Sequence, residues 1–403
     1  MKWSVSAFIP AAWLGWLLVV VVSWALRSRS YAIFRAVTIG LQILILGGLV
    51  RYFAWAFPAL VYLQATVFAS ALLTIRPKLR SLPVRLLVSI PAAFFAGGSL
   101  LAWPWAIASA FGFVPHGAWV PFALAAIGIF QSLTAREEAR DLVVGDGQNV
   151  EGLRRHAPGS LRVERPLRLI QITDPHLGPF MSVARLKRIT ERAVKRAPDL
   201  IVLTGDFLTM ESQGNPELLT EALAPLREYA GRTFACLGNH DHEALGIVRH
   251  ALAEAGVKLL VDDSALVETP AGKVQILGFD FVWRGRAEHL ARVTAENPRL
   301  PGVMRLLLLH DPGAFRHLPE GEGDLVLSGH THGGQVGLLS LGLPWTAMRA
   351  FVSMPDHGLW ARGVDRLYVH RGTGHYGFPL RLGVPAEESL LNVHRVAADP
   401  APA

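Results

Sequence analysis

Five short apolar runs in the second half of this 403-residue chain end on residues that bind metals, and no single motif constrains the fold as much as that repetition does. The runs are L-R-L-I-Q-I-T before Asp174-Pro175-His176, D-L-I-V-L-T before Gly205-Asp206, T-F-A-C-L before Gly238-Asn239-His240-Asp241, M-R-L-L-L-L before His310, and D-L-V-L-S-G before His330-Thr331-His332. Short continuous apolar runs of this kind read as strands buried on both faces. Helical stretches separate them: Ser182 to Ala197, Glu217 to Tyr229 and Glu243 to Ala255. Strand and helix in alternation predict a layered α/β domain. In such sheets the polar residues just past the strand ends converge on one ligand crevice. Two positions apart in an extended segment, His330 and His332 face the same way, and Gly329, Gly333 and Gly334 let the backbone turn closely around whatever they hold.

An isolated Asp or His after a strand is usually a cap or a loop residue. Five in succession are not, because random placement would also scatter carboxylates and imidazoles along helices. In order, D-P-H, G-D-F, G-N-H-D, H-D-P and G-H-T-H resemble the motifs of the calcineurin-like metallophosphoesterases. The resemblance covers residues 167 to 397. G-H-T-H-G-G-Q, with the later L-Y-V-H-R-G-T-G and P-L-R-L-G-V-P-A-E-E-S-L, is similar to a membrane-tethered bacterial branch that includes UDP-2,3-diacylglucosamine hydrolases of lipid A synthesis. Pro175 stands where an aliphatic residue is commoner, and His375-Tyr376 interrupts a small-residue stretch.

The resemblance implies a four-layer α/β/β/α sandwich binding two divalent metal ions. Asp206 is the implied bridge, with Asp174, His176 and His332 on one ion and Asn239, His310 and His330 on the other. His240 is implied to be a catalytic residue that contacts phosphate and protonates or stabilises the leaving oxygen, not a ligand. Two cations about 3.5–4 Å apart clamp a phosphate and generate hydroxide near neutral pH. Oxygen and imidazole ligands without thiolate suit Mn, Fe, Zn or Co better than Mg or Ca. The single cysteine, Cys236, excludes a disulfide framework and a Cys-rich metal site. Spacing does not separate His242, His370 and His375 from surface histidines.

The first third of the chain is of another kind. With 51% hydrophobic residues and a mean hydropathy of +0.33, the protein is too apolar for an ordinary soluble enzyme. The excess sits in five segments, Phe8 to Leu26, Tyr31 to Val50, Phe53 to Ile75, Leu86 to Ala110 and Ala118 to Thr134, mostly close to the ~20 residues that cross a bilayer. Arg27, Arg29 and Arg35 fall in one loop region, and Arg76, Lys78, Arg80 and Arg85 in the next but one. The two therefore share a side, which the positive-inside rule makes cytoplasmic. Five crossings bring the catalytic half to that face, whereas four, with the Pro121-containing segment left in the interface, put it on the other. The basic balance of +7 is explained by these loops. No nucleic-acid partner is expected, because no basic stripe interleaved with aromatics lies near the motifs.

Residues 1–135 are thus expected to form a transmembrane domain of about five helices, 136–165 a linker with a strand at Leu161 to Glu164, and 166–397 the phosphoesterase domain. The expected partners are the lipid bilayer and a phosphorylated substrate, with lipid-linked phosphates among the candidates. Two narrower or different readings stand beside this one: a UDP-2,3-diacylglucosamine pyrophosphatase, and a metal-binding membrane regulator without turnover. Val336 to Met354, with Arg349 its only charge, is broken by Gly342 and Pro344 and cannot be a span. Either its leucines, Leu338, Leu339, Leu341 and Leu343, pack under the sheet, or Trp345 and Phe351 form an apolar foot beside the site.

Overall fold

A computed structural model describes residues 2–76, 78–377 and 380–396 and divides into two compact units. The first comprises Met1–Leu133 with two short pieces of later chain, Met210–Gly214 and Tyr376–Leu382. Its helices are α1 (Lys2–Leu26), α2 (Arg29–Leu49), α3 (Phe57–Leu73), α4 (Leu82–Val84), α5 (Ile90–Leu101), α6 (Trp103–Ala110) and α7 (Val120–Ser132). Among the described residues three helical runs are long and apolar enough to cross a membrane, Ser6–Leu26, Arg29–Leu73 and Leu82–Leu101, and Val120–Ser132 is shorter.

The 45-residue run Arg29–Leu73 is not one straight pass. A 3-10 turn over Val50–Ala56 interrupts it, with Phe53 at φ −109° and ψ 18°. Tyr31 Oη then donates to Ala71 O at 2.7 Å and Thr74 Oγ1 at 2.9 Å, so α2 and α3 are antiparallel. Arg27 donates to Thr74 O and Arg80 to Leu73 O, which places both basic loops at one end of the bundle. Arg51 meets Ser109 at the opposite end, where Ser109 Oγ in turn donates to Gly48 O. Leu14, Leu18 and Trp24 on α1 and Val37 and Leu44 on α2 are exposed, while the polar Gln42, Gln64, Thr66 and Ser99 are buried. That distribution inverts the one expected of a helix bundle in water.

The second unit holds two sheets. The strands are β1 (Ala135–Val144), β2 (Val150–Arg155), β3 (Leu167–Ile172), β4 (Leu200–Leu203), β5 (Thr233–Ala235), β6 (Lys258–Leu259), β7 (Asp263–Thr269), β8 (Gly272–Gly278), β9 (Met304–Leu308), β10 (Leu325–Ser328), β11 (Gly358–Gly363), β12 (Asp365–Val369) and β13 (Ala386–Arg395). One sheet has the order β1-β13-β3-β4-β5-β6, the other β2-β11-β12-β10-β9-β8-β7. The stretch 136–165, expected to be a linker, therefore supplies most of the edge strand of one sheet and the whole edge strand of the other, and Leu161 to Glu164 carries no strand.

Residue parity shows why both faces of these strands are apolar. Leu167 and Leu169, Leu200 and Val202, and Phe234 point into a core shared with Leu306, Leu308, Leu325 and Leu327 of the other sheet. Their neighbours Ile170, Ile172, Ile201 and Leu203 point outward against α8 (Val183–Lys195), α9 (Glu217–Leu223) and α10 (Leu245–Glu254). Helix α8 begins where Ser182 accepts from Arg185 N and presents Leu186, Ile189, Thr190 and Ala193 at helical spacing. On the far side α11 (Arg286–Glu296) covers Leu307 and Leu309 through Leu290 and Val293. The result is a four-layer α/β/β/α sandwich.

Candidate metal centre

Each strand-end motif reaches the same place because β3, β4 and β5 run parallel to one another in one sheet and β8, β9, β10 and β12 do so in the other, so within each sheet their carboxyl ends align. Asp174, His176 and His332 form one group and Asp206, His310 and His330 a second, with the potential ligand atoms of each group within 4.8 Å of one another. Asp206 Oδ2 connects the two groups, lying 3.2 Å from His310 Nε2 and 3.7 Å from His176 Nε2. Asp174 Oδ1 lies 3.6 Å from His332 Nε2 and 3.9 Å from His176 Nε2.

The backbone is bent to achieve this. Asp174, His176, Asp206, His330 and His332 all have positive φ, between 45° and 68°, a region that L-residues other than Gly, Asn and Asp seldom occupy. Gly205, at φ +87°, and Gly329 provide close approach: a Cβ on the first would collide with the Gly238 backbone, and one on the second with the Asp174 carboxylate. Three hydrogen bonds to Asp241 hold the turns together, from the backbone N–H groups of Asp206 (2.8 Å), Phe207 (2.8 Å) and Gly238 (2.7 Å). His240 N donates to Asp206 Oδ1 at 2.8 Å, and His330 N donates to Asp174.

Protonation follows the burial. Burial pushes the Asp174 carboxyl up to about 6 and draws His176 down to about 3 and His330 down to about 4, which leaves those imidazoles neutral and able to donate a lone pair. His310 goes the other way: burial lowers it, but the Asp206 carboxylate outweighs that and carries it up to about 10. Thr204 O accepts from His310 Nδ1 at 2.6 Å, which fixes the tautomer and turns Nε2 toward Asp206. Asn239 Oδ1 is buried without a hydrogen-bond partner among the described residues, a cost that a bound cation would remove. Two carboxylates, four imidazoles and that amide oxygen fit a pair of divalent ions.

His240 is partly exposed, as Asn239 and His330 are. Its ring lies 5.6 Å from that of His176, and Nδ1 is 2.9 Å from Glu243 Oε1. Of the three histidines left unplaced by spacing, His242 lies 3.0 Å from Asp280, and His370 and His375 are buried, His375 against Phe180. Several contributors went unread in the sequence. Asp241 had a signal, its place after G-N-H, whereas Glu243, Thr204 and Phe281 had none. Phe281 packs against the rings of His310 and His330, each at 6.2 Å, and carries the exposed Trp283 edge-on at 4.7 Å.

A two-sheet sandwich with carboxylates and imidazoles gathered at its strand ends defines a metal-dependent hydrolase of phosphoric esters. The chain belongs to the calcineurin-like phosphoesterase family, whose model matches residues 167–334. It is 30% identical over 235 residues to Phosphodiesterase YaeI of Escherichia coli, a match covering 57% of this chain and 82% of that one. It is 28% identical over 282 residues to the UDP-2,3-diacylglucosamine pyrophosphatase LpxG of Chlamydia trachomatis, covering 56% and 83%. An uncharacterized metallophosphoesterase of Campylobacter jejuni is 30% identical over 243 residues, covering 57% and 60%.

Proposed function

We propose that this protein is a membrane-anchored phosphoesterase that uses two divalent ions to hydrolyse a phosphoester or pyrophosphate bond on a lipid-linked substrate. The observation that carries the reading is the pair of ligand groups joined by Asp206. Asp174, His176 and His332 would hold one ion, Asn239, His310 and His330 the other, and Asp206 both. Such ions supply Lewis acidity to the phosphoryl oxygens and lower the pKa of water. The chain does the rest: Thr204 and Asp241 orient the ligands, and Phe281 walls the site against solvent. Glu243, on Nδ1, leaves Nε2 of His240 to hold or deliver a proton at the leaving oxygen. Residues 1–135 act as the anchor and 166–397 as the catalytic domain, to whose sheets β1 and β2 of the intervening stretch add edge strands.

The lipid reading has two supports. Exposed apolar residues on α1 and α2 suit a lipid environment, and the basic loops gathered at one end of the bundle favour the cytoplasmic face for that end. The loop after the His-x-His motif supplies the second. Leu341 is 74% exposed, Phe351 86% and Trp345 47%, so the account in which the leucines pack under the sheet does not hold for Leu341. The loop is nevertheless tied to the site, since Thr331 and Thr346 both donate to Asp356 and a Cβ on Gly334 would meet Met348. An apolar surface anchored to the ligand loop suits an acyl-chain substrate. The similarity to LpxG makes a nucleotide-linked acylated sugar the specific substrate to try first.

The test is full-length protein in detergent with Mn²⁺, given a soluble diester, a monoester and a UDP-linked lipid. Turnover strongest on the lipid, with Trp345→Ala and Phe351→Ala raising its KM but leaving the soluble diester unchanged, is expected. Equal losses on both substrates with a lower Tm would make the loop core and remove the lipid argument drawn from it.

A further inference from the structure

Among the described residues outside the loop Val336 to Met354, the second unit exposes one Phe, Tyr or Trp side chain, that of Trp283, at 70%. Single apolar residues on a surface are ordinary. What sets this one apart is what lies beneath it and how firmly it is held. Its ring stands against Phe281, with centroids 4.7 Å apart at an interplanar angle of 83°, and Phe281 in turn lies 6.2 Å from the rings of His310 and His330. A line of rings therefore leads from two candidate ligands of one ion out to solvent.

The segment that carries Trp283 is fixed on several sides. Asp280 N donates to Asp262 Oδ1 at 2.9 Å, and Asp280 Oδ1 lies 3.0 Å from Nε2 of His242, two residues past His240. Beyond the ring, Arg286 Nε donates to Val282 O at 3.2 Å, and the same guanidinium meets Asp311, the residue after His310, at 2.6 Å. Gly285, at φ +64°, turns the chain into α11 between these ties. The loops of His240 and His310 thus set where Trp283 stands, and a group docking on it has little loop ordering to offset.

The rest of that segment is polar, with Asp280 and its partner His242 before the ring and Arg284 and Arg286 after it. A hydrocarbon chain gains in proportion to the apolar area it covers, so one ring among polar neighbours serves it poorly. A planar π-system gains from a single ring by stacking. We infer that Trp283 is a specificity-determining residue: its ring stacks on the base of a nucleotide portion of the substrate while the attached phosphoryl group lies at the metal centre. The inference rests on the phosphoesterase reading of that centre and assigns the recognition of one half of the substrate to one side chain.

The experiment titrates metal-loaded full-length protein in nonionic detergent, by calorimetry, with two 5′-methylenephosphonates, that of uridine and that of ribose. Both carry the phosphoryl group on a P–C bond that the site cannot hydrolyse, and they differ in the base alone. The wild type is expected to bind the uridine compound at least about fivefold more tightly, the lower end of what one stacked base contributes. Trp283→Ala should bring the uridine compound down to the affinity of the ribose compound and leave the latter unchanged, which also shows that the metal centre is intact, whereas Trp283→Phe should keep most of the difference. Equal affinities in the wild type, or a difference that survives in Trp283→Ala, would overturn the role of Trp283 while leaving the phosphoesterase reading in place. Equal weakening of both compounds in Trp283→Ala would make the ring a wall of the metal site and overturn it too. Binding of neither compound by the wild type would overturn the phosphoesterase reading and this inference with it.

Discussion

Asp206→Asn isolates the bridging role more cleanly than any other change in this site. Asn matches Asp in shape and tolerates the left-handed backbone, here φ +59°, so the turn is kept. The main-chain bond from residue 206 to Asp241 at 2.8 Å is untouched, and the amide oxygen can still accept from His240 N. What changes is the second oxygen, now an NH₂ with no lone pair, at a place 3.2 Å from His310 Nε2 and 3.7 Å from His176 Nε2. Loss of an outer partner of a ligand typically costs 10–100-fold in metal affinity. Loss of a ligand shared by both ions should cost at least about 100-fold at each, and turnover should fall by more than about 10³-fold, since positioning and charge stabilisation go together. Metal content after dialysis against buffered Mn²⁺, diester turnover and a thermal melt are read on one preparation. Two ions per chain at full occupancy, or turnover within tenfold of wild type, would refute the bridging assignment.

Other outcomes follow from the same geometry. His240→Ala should retain both metals while slowing chemistry by ~10²–10⁴-fold, and Glu243→Gln should give a smaller loss of the same kind; metal loss in the first would make His240 a ligand. Gly205→Ala, which forces a Cβ into the Gly238 backbone at φ +87°, should lower Tm and metal content together, and a variant melting like wild type would show that the turn can relax. A reporter fused after Arg395 should be active only in a cytoplasmic form, and activity only in an exported form would mean four crossings.

The sequence exposed the inner part of the sandwich and concealed its edges, for a physical reason. Strands β3, β4, β5, β9 and β10 are buried on both faces and read as apolar runs. Strand β1, A-R-E-E-A-R-D-L-V-V, is an edge strand with charge on both faces over most of its length, so its composition is that of a linker. Strand β2 is alike, and β7, with only half its residues facing the core, was also invisible. Strand β13 is buried but carries Glu387 and Glu388. Glu387 is tolerable there because Arg371, Tyr368 and Ser389 all meet it, a network no local pattern announces.

The site shows the opposite balance: residue types were legible and backbone conformation was not. Nothing in D-P-H or H-T-H states that both histidines of H-T-H and both ends of D-P-H sit at positive φ. An extended reading of H-T-H explained how two imidazoles could share a direction, yet Thr331 lies at φ −78° and ψ −17° between two left-handed residues, so the segment is a tight turn. Its imidazoles accordingly go to different ligand groups, His332 with Asp174 and His330 with Asp206. Left-handed backbone costs most L-residues roughly 1–2 kcal/mol and Asp less, so the three histidines alone hold about 3–6 kcal/mol, a large part of the net stability of many domains. The strain is sustained because Asp241, Thr173 and the Asp174 carboxylate bond the same loops and because the strands beneath are fully buried. Rigid strands thus let five unfavourable backbone positions persist, and those positions, in the three segments that carry Asp174 and His176, Asp206, and His330 and His332, aim their ligands at one place.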